Sequence, residues 1–268
     1  MHFSAEKVIE SLYRAVLNRA PDKNGMEAHL NRLKSDRSSL SSIAQDIFDS
    51  DEHKTLLGGF TGITDHSQFR EFPLLLRHLI DNGSTHQIIV DVGARGRDRS
   101  NSFDLMSQFG WKGILIEANP ELYNEISSDF QGTDFTLVGC AVGPTEGVLP
   151  FYIGSNDDVS SLLKDAAFSW GDLRGQVEVE VKRLPDILRD LKIPHDFDVL
   201  SLDIEGVDVP VLNDLIDTSK YRPKYIVIEA SYSFQTKELS DVNCSKKVQS
   251  SYEIVDQTEA NLILKLRG

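Results

Sequence analysis

Two carboxylates and a glycine turn stand where a chain can hold a ribose. The first run is Ile88-Ile89-Val90-Asp91-Val92-Gly93-Ala94-Arg95-Gly96, and the second is Gly113-Ile114-Leu115-Ile116-Glu117-Ala118-Asn119-Pro120. A strand ending in a glycine turn, then a helix, then a second strand ending in an acid, builds a crevice at the carboxyl edge of a parallel sheet. Glu117 is expected to accept hydrogen bonds from the two ribose hydroxyls, and Gly93 lets the backbone approach the ligand closely. Asp91, two residues ahead of Gly93, is expected to face the same ligand. A nicotinamide dinucleotide brings a pyrophosphate, usually cradled by Gly-x-Gly-x-x-Gly at a helix start. This turn, Gly93-Ala94-Arg95-Gly96-Arg97-Asp98, lacks that triplet. S-adenosylmethionine has no phosphate and carries a sulfonium cation, which suits acids at strand ends. Ala118 and Ala141-Val142 are expected to flank its adenine, Ser100 and Asn101 to donate to its tail, and Ala94 to belong to the cofactor site. Arg95, with Arg97 and Arg99, either grips the tail carboxylate or an anionic acceptor, or belongs to a solvated helix start.

Methyl transfer is an in-line displacement at carbon, in which proximity supplies much of the rate and a hydroxyl acceptor must lose its proton as it attacks. Asp203, at the end of another apolar strand, would point towards the methyl group, and Glu205 would share that opening. Either is the candidate base, with capping of the following helix as the structural alternative for Asp203. Glu229 borders the same crevice. His195 has a suitable pKa but precedes its strand and so belongs at the wrong end of the sheet. No metal centre is assigned, although magnesium on Asp203, Glu205 and Asp208 would acidify a sugar diol. The segment Asp157-Asp158-Val159-Ser160-Ser161-Leu162 and the loop through Trp170 are expected to cover the acceptor, with Phe168 and Trp170 available to stack on a sugar face.

The elements that position these residues alternate. Strands are expected at 87–92, 112–117, 135–142, 147–153, 177–183, 198–203, 224–230, 251–256 and 260–266, and helices near 99–109, 120–129, 184–191, 207–217 and 236–249. Near-continuous apolar strands such as Tyr225-Ile226-Val227-Ile228 indicate a parallel sheet. The short connection at Thr258-Glu259 indicates an antiparallel hairpin at its edge. Upstream, helical spacing of Val8, Leu12, Tyr13, Val16 and Leu17 is followed by a break at Ala20-Pro21-Asp22-Lys23-Asn24-Gly25. Further helices carry Met26, His29, Leu30 and Leu33, then Leu40, Ile43, Ala44, Ile47 and Phe48. Ser50-Asp51-Glu52 reads as the cap of a short fourth helix. The Asp22–Gly25 loop lacks the acidic spacing of a calcium hand and reads as a turn. Leu57-Gly58-Gly59-Phe60-Thr61-Gly62 is the expected boundary. It gives a small helical domain over 1–60, a linker and helix over 61–84, and an α/β domain over 85–268.

The pieces Asp91-Val92-Gly93-Ala94, Glu117-Ala118-Asn119-Pro120, Cys140-Ala141-Val142-Gly143, Ser201-Leu202-Asp203-Ile204-Glu205-Gly206 and Ala260-Asn261-Leu262-Ile263, in that order, resemble the FkbM family of S-adenosylmethionine-dependent methyltransferases. The Asp-Ile-Glu-Gly stretch followed by Val211-Leu212 is the most specific. The resemblance implies a Rossmann-like, mostly parallel seven-stranded methyltransferase sheet, and O-methylation of sugars or natural products. The turn with Arg95 and Arg97 departs from the commoner family versions. Residues 5–57, through Leu12-Tyr13, Leu17-x-Arg19-x-Pro21-Asp22-x-x-Gly25 and Ser50-Asp51-Glu52, resemble a bacterial helical domain of unknown function that accompanies cell-surface or glycan-related proteins. That implies docking of a protein or glycan partner, or substrate presentation.

A net charge of −14 argues against a nucleic-acid backbone or an anionic membrane as main partner. Cys140 and Cys244 make neither a disulfide framework nor a zinc motif. The opening residues lack the basic-then-apolar pattern of a signal peptide, and no apolar run reaches the ~20 residues that span a bilayer. A cytoplasmic enzyme acting on a small-molecule or glycan hydroxyl is the expectation. A dinucleotide-dependent enzyme and a non-catalytic docking protein on the same fold are the alternatives.

Overall fold

The computed structural model describes residues 5–17, 19–35, 43–44, 46–47, 50, 63–155, 160–168, 172–230 and 236–268. The expected cap at Asp51-Glu52, the glycine boundary at 57–62, Asp157-Asp158-Val159 and Trp170 lie outside these residues. The chain divides into two compact units, residues 1–63 and 64–268.

In the first unit, α1 (Ala5–Leu17) and α2 (Lys23–Ser35) are separated by the Pro21 break. Ile9, Tyr13, Leu17, Ile43 and Ile47 form its core. The Tyr13 hydroxyl meets His29 Nε2 at 3.0 Å, and the Arg19 guanidinium sits 5.2 Å from the centre of the Tyr13 ring. The Asp22 carboxylate accepts the Gly25 N–H at 2.8 Å and the Asp22 carbonyl accepts Met26 N–H at 2.9 Å, so this acid starts a helix.

The second unit is a seven-stranded sheet. Its elements in chain order are α3 (Glu71–Asn82), β1 (Ile88–Val92), α4 (Phe103–Phe109), β2 (Lys112–Glu117), α5 (Tyr123–Asp129) and β3 (Asp134–Gly139). Next come β4 (Ala141–Val142), β5 (Gly147–Gly154), α6 (Lys164–Ala167), β6 (Leu173–Lys182), α7 (Leu184–Asp190) and β7 (Val199–Leu202). The last are α8 (Asp208–Thr218), β8 (Tyr225–Glu229), α9 (Lys246–Ser251), β9 (Tyr252–Gln257) and β10 (Asn261–Leu266). The order across the sheet is β3-β2-β1-β7-β8-β10-β9. The first five are parallel, β10 runs against β8, and β9 runs against β10. The order reverses between β1 and β7, which opens a crevice at their carboxyl ends.

Alternation along the strands splits the core into two layers. Val90, Val92, Ile114, Ile116, Leu200, Leu202, Ile226 and Ile228 pack against α7, α8 and α9. Ile89, Leu115, Val199, Val227 and Ile263 pack against α3, α4 and α5. Continuing outward on the second face come Asp91, Glu117, Ser201, Asp203, Glu229 and Asn261, so the apolar face turns polar at the rim.

The short helix α6 lies in a stretch expected as loop, and the structure departs from the sequence expectation further at two elements. The run 135–142 is not one strand: it breaks at Cys140, β3 staying in the main sheet while β4 joins β6 and β5 in a three-stranded sheet. Both halves are apolar, so hydrophobicity carries no mark of the change. The expected helix over 236–249 is confined to Lys246–Ser251, capped by Ser245 Oγ, which accepts Val248 N–H at 3.2 Å. Ahead of it, Asp241 takes the N–H groups of Lys237 and Glu238 at 2.9 and 3.0 Å. Asn243 is left-handed at φ 61°. Such local bonds compete with helix.

Candidate active site

The glycine turn after β1 is fixed by contact with two neighbouring strands. Gly93 N and Ala94 N both donate to the Ile116 carbonyl, at 2.9 and 3.1 Å, and Asp203 N donates to the Val92 carbonyl at 3.0 Å. Gly93 has φ 88°, and a Cβ there would lie 1.8 Å from the Asp203 carbonyl oxygen. No other residue can hold this conformation at this distance.

The crevice above it is an open pocket of about 590 Å³ whose lining includes Gly93, Arg95, Glu117, Ala118, Ala141, Val142, Asp203 and Glu205. Those expected residues therefore come together. Ala94, Asp91, Ser100 and Asn101 stand behind the lining. Ala94 packs into the core. The Asp91 carboxylate accepts the Ser102 hydroxyl at 2.6 Å, and Ser100 Oγ accepts the N–H groups of Ser102 and Phe103 at 3.1 and 2.9 Å. Asn101 donates through Nδ2 to Ser201 Oγ at 3.2 Å, while its buried Oδ1 receives no donor among the described residues. Ser160 and Leu162, from the segment expected to cover the acceptor, are in the lining, and Phe151, which the sequence did not single out, joins them. Phe151 comes from the small sheet, and nothing in its spacing marks that it reaches this pocket.

Glu117 is buried, with Oε1 held by Asn119 N–H at 2.6 Å. Burial raises its pKa from 4.5 to about 7, against the pull of the backbone N–H groups of Asn119 and Ala118; Asp91 pushes it further up and Arg95 draws it down. Cys140 lines the same wall, its thiol driven up to about 11 by burial, and is therefore an inert apolar group.

On the other side of Gly93, Asp203, Glu205 and Glu229 each bring a carboxylate oxygen within 4.8 Å of the others. All three are half-buried, and none receives a hydrogen bond or a cation among the described residues. Burial, followed by the neighbouring Glu229 and Asp208 charges, holds the Asp203 carboxyl well above the usual carboxylate range. Burial and Asp203 raise Glu205 to about 8, and burial and Glu205 raise Glu229 to about 8.

Asp208 plays a different part. It accepts Ile204 N–H at 2.9 Å and Gly206 N–H at 3.0 Å, and so shapes the turn that presents Glu205. Glu205 stands in the left-handed region at φ 54°, its carbonyl accepting the Ser161 hydroxyl at 2.8 Å. Asp208, the first residue of α8, thus ties down the turn before the helix, and neither it nor Asp203 caps the helix, whose N-cap Val207 makes no side-chain cap bond. The third member of the acidic group is Glu229, expected at the border of this crevice, and not Asp208, the third ligand of the unassigned magnesium alternative. Its place follows from register: Leu202 pairs with Ile228, so Asp203 and Glu229 are the next residues of adjacent strands. His195 stacks on Tyr221 with ring centres 4.8 Å apart, beyond the amino end of β7, and borders a separate recess with Arg183 and Arg189.

A profile of the methyltransferase FkbM domain matches residues 91–257, from Asp91 to the end of β9. The chain belongs to the FkbM methyltransferase family. A domain of unknown function, DUF4214, matches residues 2–57. No curated protein matches the chain. In this FkbM methyltransferase, the order Glu117, Gly93, Asp203 across the sheet gives one pocket a largely apolar side and an acidic side, with a glycine between them. Among the described residues no helix is long and apolar enough to cross a membrane.

Proposed function

We propose that this protein transfers the methyl group of S-adenosylmethionine to a hydroxyl oxygen of a sugar, on a surface glycan or a related metabolite. The observation that carries the choice of donor is the use already made of the glycine turn. Gly93 N–H and Ala94 N–H are both spent on the Ile116 carbonyl, and Arg97 N–H on Asp129, so these amides of the turn are not offered to a pyrophosphate, which a dinucleotide turn cradles with such groups.

The residues suit a sulfonium nucleoside. Glu117 presents a carboxylate to the ribose, and Ala118, Ala141, Val142, Phe151 and Leu162 leave an apolar slot for adenine. The Oδ1 of Asn101, buried behind the lining and without a donor among the described residues, is the acceptor this reading assigns to the tail ammonium, Arg95 suits the tail carboxylate, and Asp91 holds the neighbouring Ser102. When bound, S-adenosylmethionine supplies an electrophilic methyl carbon. Asp203 or Glu205 orients the acceptor hydroxyl and takes its proton as the oxygen attacks. Raised pKa values suit a carboxylate that must accept a proton near neutrality. The N-terminal domain docks a protein or glycan partner in this reading.

The test is incubation of the purified protein with methyl-labelled donor and host glycan extracts, read by mass spectrometry. A labelled methyl ether on a sugar is expected. Donor binding without product from any extract would favour a docking protein that has lost turnover.

A further inference from the structure

Other buried acids of the α/β domain are served by protein donors. Glu71 takes Phe69 N–H, the Thr258 hydroxyl and Asn261 Nδ2, at 2.9, 2.8 and 2.9 Å. Asp198 takes Thr85 N–H and His86 N–H at 2.5 and 2.7 Å. Asp104 takes the Thr64 hydroxyl and His66 N–H at 3.1 and 2.6 Å, and the Gln108 Nε2 amide. Asp203, Glu205 and Glu229 have no such service among the described residues, although they converge within 4.8 Å. Buried charges are ordinarily paired or coordinate a metal.

A second observation points the same way. Asn261 is 4% exposed and lies directly across from Glu229 on β10, and directly opposed residues share a face of the sheet. Its Nδ2 is engaged by Glu71 at 2.9 Å, while its buried Oδ1 has no donor among the described residues. An unused oxygen acceptor on the residue paired with Glu229, together with three unserved carboxylates, is what a cation requires and a hydrogen-bond network does not.

We infer that Asp203, Glu205 and Glu229, with the Asn261 side-chain carbonyl completing the set, bind one hard divalent cation of the magnesium or manganese class. The donor set is all oxygen, which favours such ions over zinc or copper. An octahedral ion held by four protein oxygens keeps two positions open. Resting on the methyltransferase reading above, those positions are where acceptor oxygens bind, so the favoured acceptor offers two neighbouring oxygens, as a sugar diol does.

The test uses Mn²⁺ alone with the full chain, following loss of the free Mn²⁺ paramagnetic resonance signal, with competition by Mg²⁺. One saturable ion per chain, displaced by Mg²⁺, is expected. Glu205→Gln and Glu229→Gln should each weaken it by at least about tenfold. Glu253→Gln, on the exposed edge strand β9, should not. Absence of saturable binding up to ~5 mM Mn²⁺, or equal binding by wild type and both Gln variants, overturns the inference. Methyl transfer is scored separately. Mn²⁺ binding without any methylated product sustains the cation site and sinks the methyltransferase reading. Methyl transfer undiminished by excess chelator, with no Mn²⁺ bound, does the reverse.

Discussion

Asp198 and Asp203 stand at opposite ends of one strand, and their surroundings differ in kind. Asp198, at the amino end of β7, is fully buried and saturated, with its two oxygens accepting backbone N–H groups of Thr85, His86 and Ile88. Asp203, at the carboxyl end, faces Glu205 and Glu229 with no donor among the described residues. The first arrangement uses a charge to fasten the chain entering β1. The second leaves charge capacity unspent at the rim of a pocket, at a cost to folding that a bound ligand would offset. The contrast separates acids saturated by protein donors from acids left without them.

Substitution by the matching amide at each end should break the molecule in different ways. Asp203→Asn should lower turnover about a thousandfold, as loss of an acid–base group does. Donor affinity measured by calorimetry should stay within a few fold, and the melting temperature should not fall. Full turnover in that variant would remove Asp203 from the chemistry. Asp198→Asn should leave turnover per folded molecule intact, because it lies at the other end of the sheet. Its new NH₂ group would oppose the N–H groups of Thr85 or His86, and the domain should lose roughly 3 kcal/mol, seen as a lower urea midpoint. An unchanged midpoint would mean that partner saturation does not identify scaffold acids.

This distinction was only partly legible in the sequence. The apolar runs ending at Val92 and Ile116 mark their strands because β-branched residues fill both faces, and Thr258-Glu259 marks the edge hairpin. Residue type also placed Glu117 and Asp203 at strand ends. It did not reveal which acids were already occupied. Asp91 reads as ligand-facing from its distance to Gly93, yet α4 folds Ser102 onto its carboxylate. Asp208 reads as a partner of Asp203 from spacing, yet the left-handed turn at Glu205 and Gly206 carries backbone N–H groups to it. Glu229 reaches Asp203 only through strand register. Hydrogen-bond partners set by long-range pairing have no local signature.

Glu117 sharpens the comparison because it lies between the two kinds, held by Asn119 N–H at 2.6 Å yet open to the pocket. Its carboxyl titrates near 4.5 when unfolded and at about 7 when folded. The folded state therefore binds more protons between those values. Stability from this group is fully present below pH ~4.5 and is lost as pH rises through about 7, by roughly 3 kcal/mol in all. Donor binding should follow the opposite course, tightening as pH rises through about 7 and the carboxylate forms. Glu117→Gln should flatten both profiles, stabilising the unliganded protein at pH 8 while weakening S-adenosylmethionine. A flat calorimetric affinity in the wild type from pH 6 to pH 8 would show that ionised Glu117 does not hold the ribose.

The smallest expected effect is the most direct probe of the unserved acids. Glu229→Gln removes one of three mutually repelling carboxyls while keeping its shape, and no hydrogen bond is lost among the described residues. Without metal or substrate, the variant should be more stable than wild type by ~1 kcal/mol at neutral pH, a rise of roughly 3 °C in melting temperature for a domain of this size. The gain should shrink when Mg²⁺ is added, because only the wild type retains the full set of carboxylates that the ion would stabilise. A saturated acid cannot behave this way, since its amide variant loses bonds whether or not an ion is present. A lower melting temperature for Glu229→Gln in chelator would therefore mean that Glu229 is fastened by partners of its own, and the division between the two ends of the sheet would no longer hold.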